Sequence, residues 1–212
     1  MFRLIFPHRC IGCETWLDGE PVEICSNCQS QLNFLKTAAA APALKKVYFD
    51  AAHSVLAYEG KVHDWIGSFK FFRQFHVGRV FASLLARAPL DWHSVDAVTP
   101  VPLHFWRRLR RGFNPAAILA FALAAKIQKP FWPVLSKKKH TRPQTKQNRE
   151  ARLQNVKGAF ALSPKKQKAI AGKRLLLIDD VLTTGATVNE CAKVLKRAGA
   201  KQVVVLTLAR TL

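Results

Sequence analysis

The chain has 212 residues, 49% of them hydrophobic and 22% charged, a balance that excludes global disorder. Its 34 Lys and Arg against 13 Asp and Glu leave a formal net charge of +21, so an anionic partner is expected. The longest apolar run, Ala116–Ala125, is far short of the roughly 20 residues that cross a bilayer. Met1–Phe6 also lacks the apolar stretch and cleavage site of an export signal. The expectation is a soluble cytoplasmic protein without membrane insertion, with one main domain and a small appendage.

The N-terminal stretch carries Cys10-x2-Cys13 and, after eleven residues, Cys25-x2-Cys28. Each pair can place two thiolates on one side of a tight turn, and two pairs complete a tetrahedron around Zn²⁺. Two disulfides are the competing arrangement, which a reducing cytosol disfavours. Four protein ligands leave no open position, so the role expected of the zinc is structural. Residues 1–40 are too few to bury a core alone, and metal would supply folding energy there. Ala-rich Thr37–Pro42 reads as a linker, with the main domain over residues 41–212. Cys191, far from the others in an apparent helix, reads as a small buried apolar residue.

Further along, His53–Tyr58 is predicted as a strand. Val62, Trp65, Ile66 and Phe69 follow helical spacing, as do Val77, Val80, Phe81, Leu84 and Leu85. Ser94–Val101 reads as a strand that ends in Pro100-Val101-Pro102. Asn114 and Pro115 form a helix start, and the helix to Ile127 is apolar almost all round, so it is expected to be buried. Between Ala97 and Arg174 there are 19 Lys and Arg against one acid, Glu150. Arg107, Arg108, Arg110, Arg111, Lys137, Lys138, Lys139 and Arg142 are the concentrated cations. A solvated face is the plain reading; a polyanion site for nucleic acid or a polyphosphate is the sharper one. Ser136–Val156 is polar, basic and weakly periodic, and reads as a long mobile loop.

The C-terminal part reads as one βαβ unit with a parallel sheet: a strand at Arg174–Ile178, a helix with Val188, Cys191, Ala192, Leu195 and Ala198 on one face, and a strand at Val203–Leu208. The turn between strand and helix holds Asp179-Asp180, then Thr183, Thr184, Gly185, Ala186 and Thr187. Backbone N–H groups, hydroxyls and the helix dipole favour a phosphate there. The two acids would repel that phosphate, but suit ribose hydroxyls or a Mg²⁺ ion bridging to them.

Asp179–Thr187 resembles the phosphoribosyl-pyrophosphate (PRPP) signature of type I phosphoribosyltransferases. The four cysteines, Pro100-Val101-Pro102-Leu103, Arg111-Gly112-Phe113-Asn114, Asn155–Phe160 and Leu208-Ala209-Arg210 narrow the resemblance to the ComF family, which is associated with bacterial DNA uptake. It implies an α/β, parallel-sheet type I phosphoribosyltransferase-like fold with a four-cysteine zinc module. It also implies that Asp179 and Asp180 engage ribose hydroxyls or metal and that Thr183–Thr187 hold the 5′-phosphate. Pro100 and Val101, with Arg107 and Arg111, would approach pyrophosphate, and Mg²⁺ would accompany PRPP. The family often carries Gln where this chain has Pro115. Purine-using relatives of the fold often carry Asp at the position of Thr183, which argues against a purine transferase of that kind. The reaction implied is displacement of pyrophosphate from PRPP. An alternative of a different class is a non-catalytic competence accessory that holds single-stranded DNA through the zinc module and Arg108, Arg110, Lys137–Lys139 and Arg142. PRPP or a nucleotide would then be regulatory, and competence-machinery proteins would be partners.

Overall fold

The computed structural model describes residues 8–17, 24–35, 44, 46–71, 75–104, 109, 111–138, 156–162 and 166–212. Chain order runs β1 (His8–Arg9), β2 (Trp16–Leu17), α1 (Ser26–Ser30), β3 (Ala51–Ala57), α2 (Gly60–Phe71), α3 (Phe75–Leu85), β4 (Ala97–Pro100) and α4 (Pro115–Lys126). Then follow β5 (Leu135–Lys137), β6 (Phe160–Leu162), α5 (Gln167–Ile170), β7 (Arg174–Leu182), α6 (Ala186–Arg197) and β8 (Gln202–Arg210).

The apolar runs Leu175–Ile178 and Val203–Leu208 become the two central strands, because a parallel sheet covered on both faces needs apolar residues at successive positions. The strand order is β3-β8-β7-β4, with every pair parallel. Alternation along β7 divides the core. Leu176 and Ile178 pack on one face with residues of α2, α3 and α4. Leu175 and Leu177 pack on the other with Val188, Cys191, Ala192 and Leu195 of α6. Each of the four β7 side chains is at most 2% exposed, and burial of this completeness contributes about 1.5–3 kcal/mol per side chain. β5 and β6 form a separate antiparallel pair.

The cysteine-bearing segment is packed onto this body. Cys10, Ile24, Cys28 and Leu32 join the same core cluster as Trp65 and Ile66 of α2. Residues 33–35 extend the sheet at β3, with Leu35 N–H donating to the Val55 carbonyl (2.8 Å) and Ala57 N–H to the Asn33 carbonyl (2.9 Å). The segment Thr37–Pro42, expected as a linker, lies outside the described residues.

Four local expectations change. The strand expected to stop at Ile178 runs on to Leu182, because the backbone of Asp179, Val181 and Leu182 still pairs with β8. Asn114 occupies the N-cap of α4 but makes no side-chain cap bond; its Nδ2 instead donates to the Val101 carbonyl at 2.9 Å. α4 is not buried all round: Phe121 is 63% exposed, since α3 and the sheet strands β4 and β7 cover the helix from one side. Of the segment expected as a loop, Ser136 and Lys137 belong to β5, paired with Ala161 and Phe160, while 139–155 lie outside the described residues.

Candidate functional site

β4 and β7 end side by side. Pro100 pairs with Ile178, and Val101 N–H donates to the Ile178 carbonyl at 2.9 Å. Pro100, Val101, Asp179 and Asp180 therefore meet at the carboxyl edge of the sheet, where open α/β folds bind ligands. The Asn114 bond to Val101 fixes the departing chain there.

Beyond β7 the chain turns at Thr183-Thr184-Gly185 and enters α6. Gly185 is the N-cap residue, in the left-handed region (φ 72°), where a Cβ would be strained. Ala186 N–H donates to Thr184 Oγ1 at 3.4 Å. Thr183 is exposed, while Thr184 and Thr187 are half-buried. The first turn of α6 has no acidic residue, so, the Ala186 N–H apart, its N-terminal amides and dipole are offered to an anion.

Both aspartates are half-buried, and the alternation of β7 sends them to different faces. Asp180 faces α2, where Lys70 Nζ lies 3.1 Å from its Oδ1. Its own N–H donates to Asp179 Oδ1 at 2.9 Å. Asp179 faces the α6 side. Burial, then the Asp180 carboxylate, push Asp179 up to about 7, against the Asp180 N–H, Lys70 and Lys137, which pull it down. With one oxygen of each carboxylate engaged, the pair suits separate hydrogen bonds to sugar hydroxyls. The oxygens left free could equally serve as ligands to a Mg²⁺ ion.

The basic residues distribute unevenly. Arg107, Arg108, Arg110, Lys139 and Arg142 lie outside the described residues. Arg111 is half-buried just before Gly112, and Lys138 is exposed. Lys137 is half-buried on β5, with Nζ 5.3 Å from the centre of the Phe160 ring; its charge is felt by Asp179 and by Cys191. Cys191 itself is fully buried, and burial pushes its thiol well up, which makes it the inert core residue expected. Lys70 escaped the sequence reading; the only signal was a cation in the last turn of a helix otherwise read as core.

The four N-terminal cysteines converge, with all their sulfur atoms within 4.8 Å of one another. Cys13 Sγ and Cys25 Sγ are 3.6 Å apart, and all five cysteines of the chain are free thiols. Zn–S bonds of about 2.3 Å in a tetrahedron put sulfurs roughly 3.8 Å apart, so the cluster has the dimensions of a zinc site. Backbone donors support thiolates: Gly12 N–H (3.4 Å) and Cys25 N–H (3.3 Å) point at Cys10 Sγ, and Cys28 N–H (3.3 Å) at Cys25 Sγ. The Thr15 hydroxyl and N–H pull the Cys13 thiol down to about 6, while burial and the other sulfurs push Cys28 up to about 12. Such a thiol keeps its proton at neutral pH unless a cation among the sulfurs displaces it. The four could hold a metal, and four protein ligands leave no open position on it.

Residues 109–211 match the family model described as the phosphoribosyl transferase domain. The chain is 32% identical to Competence protein F of Haemophilus influenzae over 208 residues, covering 95% of this chain and 90% of that protein. It is 29% identical to Competence protein ComFC of Streptococcus pneumoniae, covering 95% and 87%, and 31% identical to the DNA utilization protein YhgH of Escherichia coli, covering 75% and 71%. Similarity that runs from the cysteine cluster through the turn after β7 joins both halves of the molecule in one ancestry: the chain belongs to the ComF family of proteins with a type I phosphoribosyltransferase-like fold.

Proposed function

We propose that the chain binds PRPP at the carboxyl edge of β4 and β7 and serves DNA uptake or DNA utilisation, its reaction being attack of an acceptor nucleophile on C1 of PRPP, which forms the new bond to C1 as pyrophosphate leaves. The observation that carries the reading is the juxtaposition at one sheet edge of a phosphate-type turn, Thr183–Thr187, with two half-buried acids, Asp179 and Asp180. The DNA role rests on the names of the three relatives.

The 5′-phosphate would sit on the amides at the start of α6, with the hydroxyls of Thr183, Thr184 and Thr187 around it. Asp179 and Asp180 would accept from the ribose hydroxyls. Pyrophosphate would lie toward Pro100, Val101 and the arginines that follow, Arg107 and Arg111 among them. Mg²⁺ carried by PRPP would neutralise charge on the departing pyrophosphate. The transition state is cationic at the sugar and anionic at the leaving group, so the chain contributes positioning and electrostatic stabilisation, with no covalent nucleophile. Calorimetry with Mg²⁺ and PRPP tests this. Binding by the wild type that is abolished in the double variant Asp179→Asn, Asp180→Asn supports it, and equal affinity in the two refutes it. Pyrophosphate release, measured with and without DNA, tests turnover.

The charge of +21 favours a second reading, a nucleic-acid accessory in which PRPP only regulates. Among the described residues, Lys126, Lys138 and Lys157 stand exposed in the basic stretch. Binding to single-stranded DNA that falls steeply with salt would support it, and no binding at low salt would remove it.

A further inference from the structure

α2 buries Val62, Trp65, Ile66 and Phe69, and its last turn then places one cation, Lys70. A lysine at a helix C-terminus ordinarily serves the helix dipole with its head in water. Lys70 does not follow that pattern. Its ammonium lies 3.1 Å from Asp180 Oδ1, and the two side chains are only 21% and 17% exposed. The contact continues into the neighbouring acid through the Asp180 N–H to Asp179 Oδ1 bond of 2.9 Å. A half-buried ion pair of this kind is directional as well as attractive: it occupies one carboxylate oxygen and leaves the other to accept from elsewhere.

We propose that Lys70 is a positioning residue of the sugar subsite. It grips Asp180 Oδ1 from α2, and thereby holds Asp180 Oδ2 toward a ribose hydroxyl. The inference rests on the sugar-phosphate reading above and adds to it a residue from an element that the phosphate turn does not contain. A lysine acting only as bulk positive charge would help every anion alike. A lysine that orients a sugar acceptor helps only ligands that contain the sugar.

Two probes separate these roles in the full chain: ribose 5-phosphate, which carries the sugar, and inorganic pyrophosphate, which does not. By calorimetry, Lys70→Met should bind ribose 5-phosphate about tenfold more weakly, the scale of one misdirected charge-assisted hydrogen bond, with pyrophosphate affinity changed much less. Lys70→Arg, which can still grip a carboxylate, should recover most of the loss. Thermal melts establish that both variants are folded. Unchanged ribose 5-phosphate affinity in Lys70→Met, equal losses for both probes, or no recovery in Lys70→Arg would each overturn the positioning role while leaving the sugar-phosphate reading intact. A wild-type protein that binds neither probe would overturn that reading and the subsite with it.

Discussion

Replacing Asp179 by Asn should leave the protein about as stable as wild type near pH 4 and progressively more stable up to pH 8. In the folded chain Asp179 is pushed from 3.8 up to about 7, by burial first and by Asp180 second. The folded state therefore keeps a proton that the unfolded chain releases near pH 4. Where the folded state binds more protons, stability falls as pH rises. Wild-type stability should accordingly decline between about pH 4 and pH 7 and level off above. Across that interval each pH unit removes about 1.4 kcal/mol, so the rise from 3.8 to about 7 sets a ceiling of roughly 4 kcal/mol. Asp179 is only half-buried and interacts closely with Asp180, so about 2 kcal/mol is the working figure. Asn keeps an oxygen that can accept from the Asp180 N–H, which prevents loss of that bond from masking the gain. Urea midpoints of both proteins at pH 5, 6, 7 and 8 are the assay. Curves that stay parallel across that range would refute the argument. Under the proposed function the variant should also lose PRPP affinity, because Asp179 would then accept from a ribose hydroxyl.

The remaining predictions concern the two ends of the molecule and one strand. Protein purified without chelator should release one equivalent of zinc on thiol modification, followed with a metal-sensitive dye, and Cys13→Ser should hold far less. Gly12→Ala should lower both the melting temperature and zinc retention, since its Cβ would lie 2.3 Å from Trp65 Cζ2 and 2.9 Å from Cys28 Sγ; overpacking of this kind costs about 1–3 kcal/mol. Gly185→Ala places a side chain at φ 72° and should cost about 1–2 kcal/mol by denaturant titration, with weaker binding of PRPP. Thr99→Val should raise stability by about 1 kcal/mol in the same titration, because the Thr99 hydroxyl is fully buried and has no hydrogen-bond partner among the described residues.

What could be read before the structure was local. The runs Leu175–Ile178 and Val203–Leu208 declare buried strands by composition, and the spacing of Val188, Cys191, Ala192 and Leu195 declares a helix face. The strand-to-helix turn Thr183–Thr187 is legible for the same reason, since it lies within one loop and one helix turn. The extent of β7 was not: the apolar run stops at Ile178, yet strand pairing is made by backbone, and Asp179 pairs with Thr207 whatever its side chain. Nor was the exposed Phe121 legible, because periodicity says that a helix is apolar but not which of its sides meets a neighbour.

Lys70 was hidden for a deeper reason. It is separated from Asp180 by more than a hundred residues, and they meet only because α2 and β7 are brought to one edge of the sheet, where alternation has already turned Asp180 toward α2. The same logic governs the N-terminal module. Its cysteine spacing announces a metal site, but the contact of Gly12 with Trp65 and the pairing of residues 33–35 with β3 arise from tertiary packing. The cysteine cluster and the carboxyl edge of β7 thus share one helix, α2: Trp65 packs with the first and Lys70 reaches Asp180 at the second. Loss of metal should therefore be felt at the sugar subsite through α2, as weaker ribose 5-phosphate binding by zinc-stripped protein that still melts cooperatively. A stripped protein that binds as tightly as the native one would show that the helix transmits nothing between them.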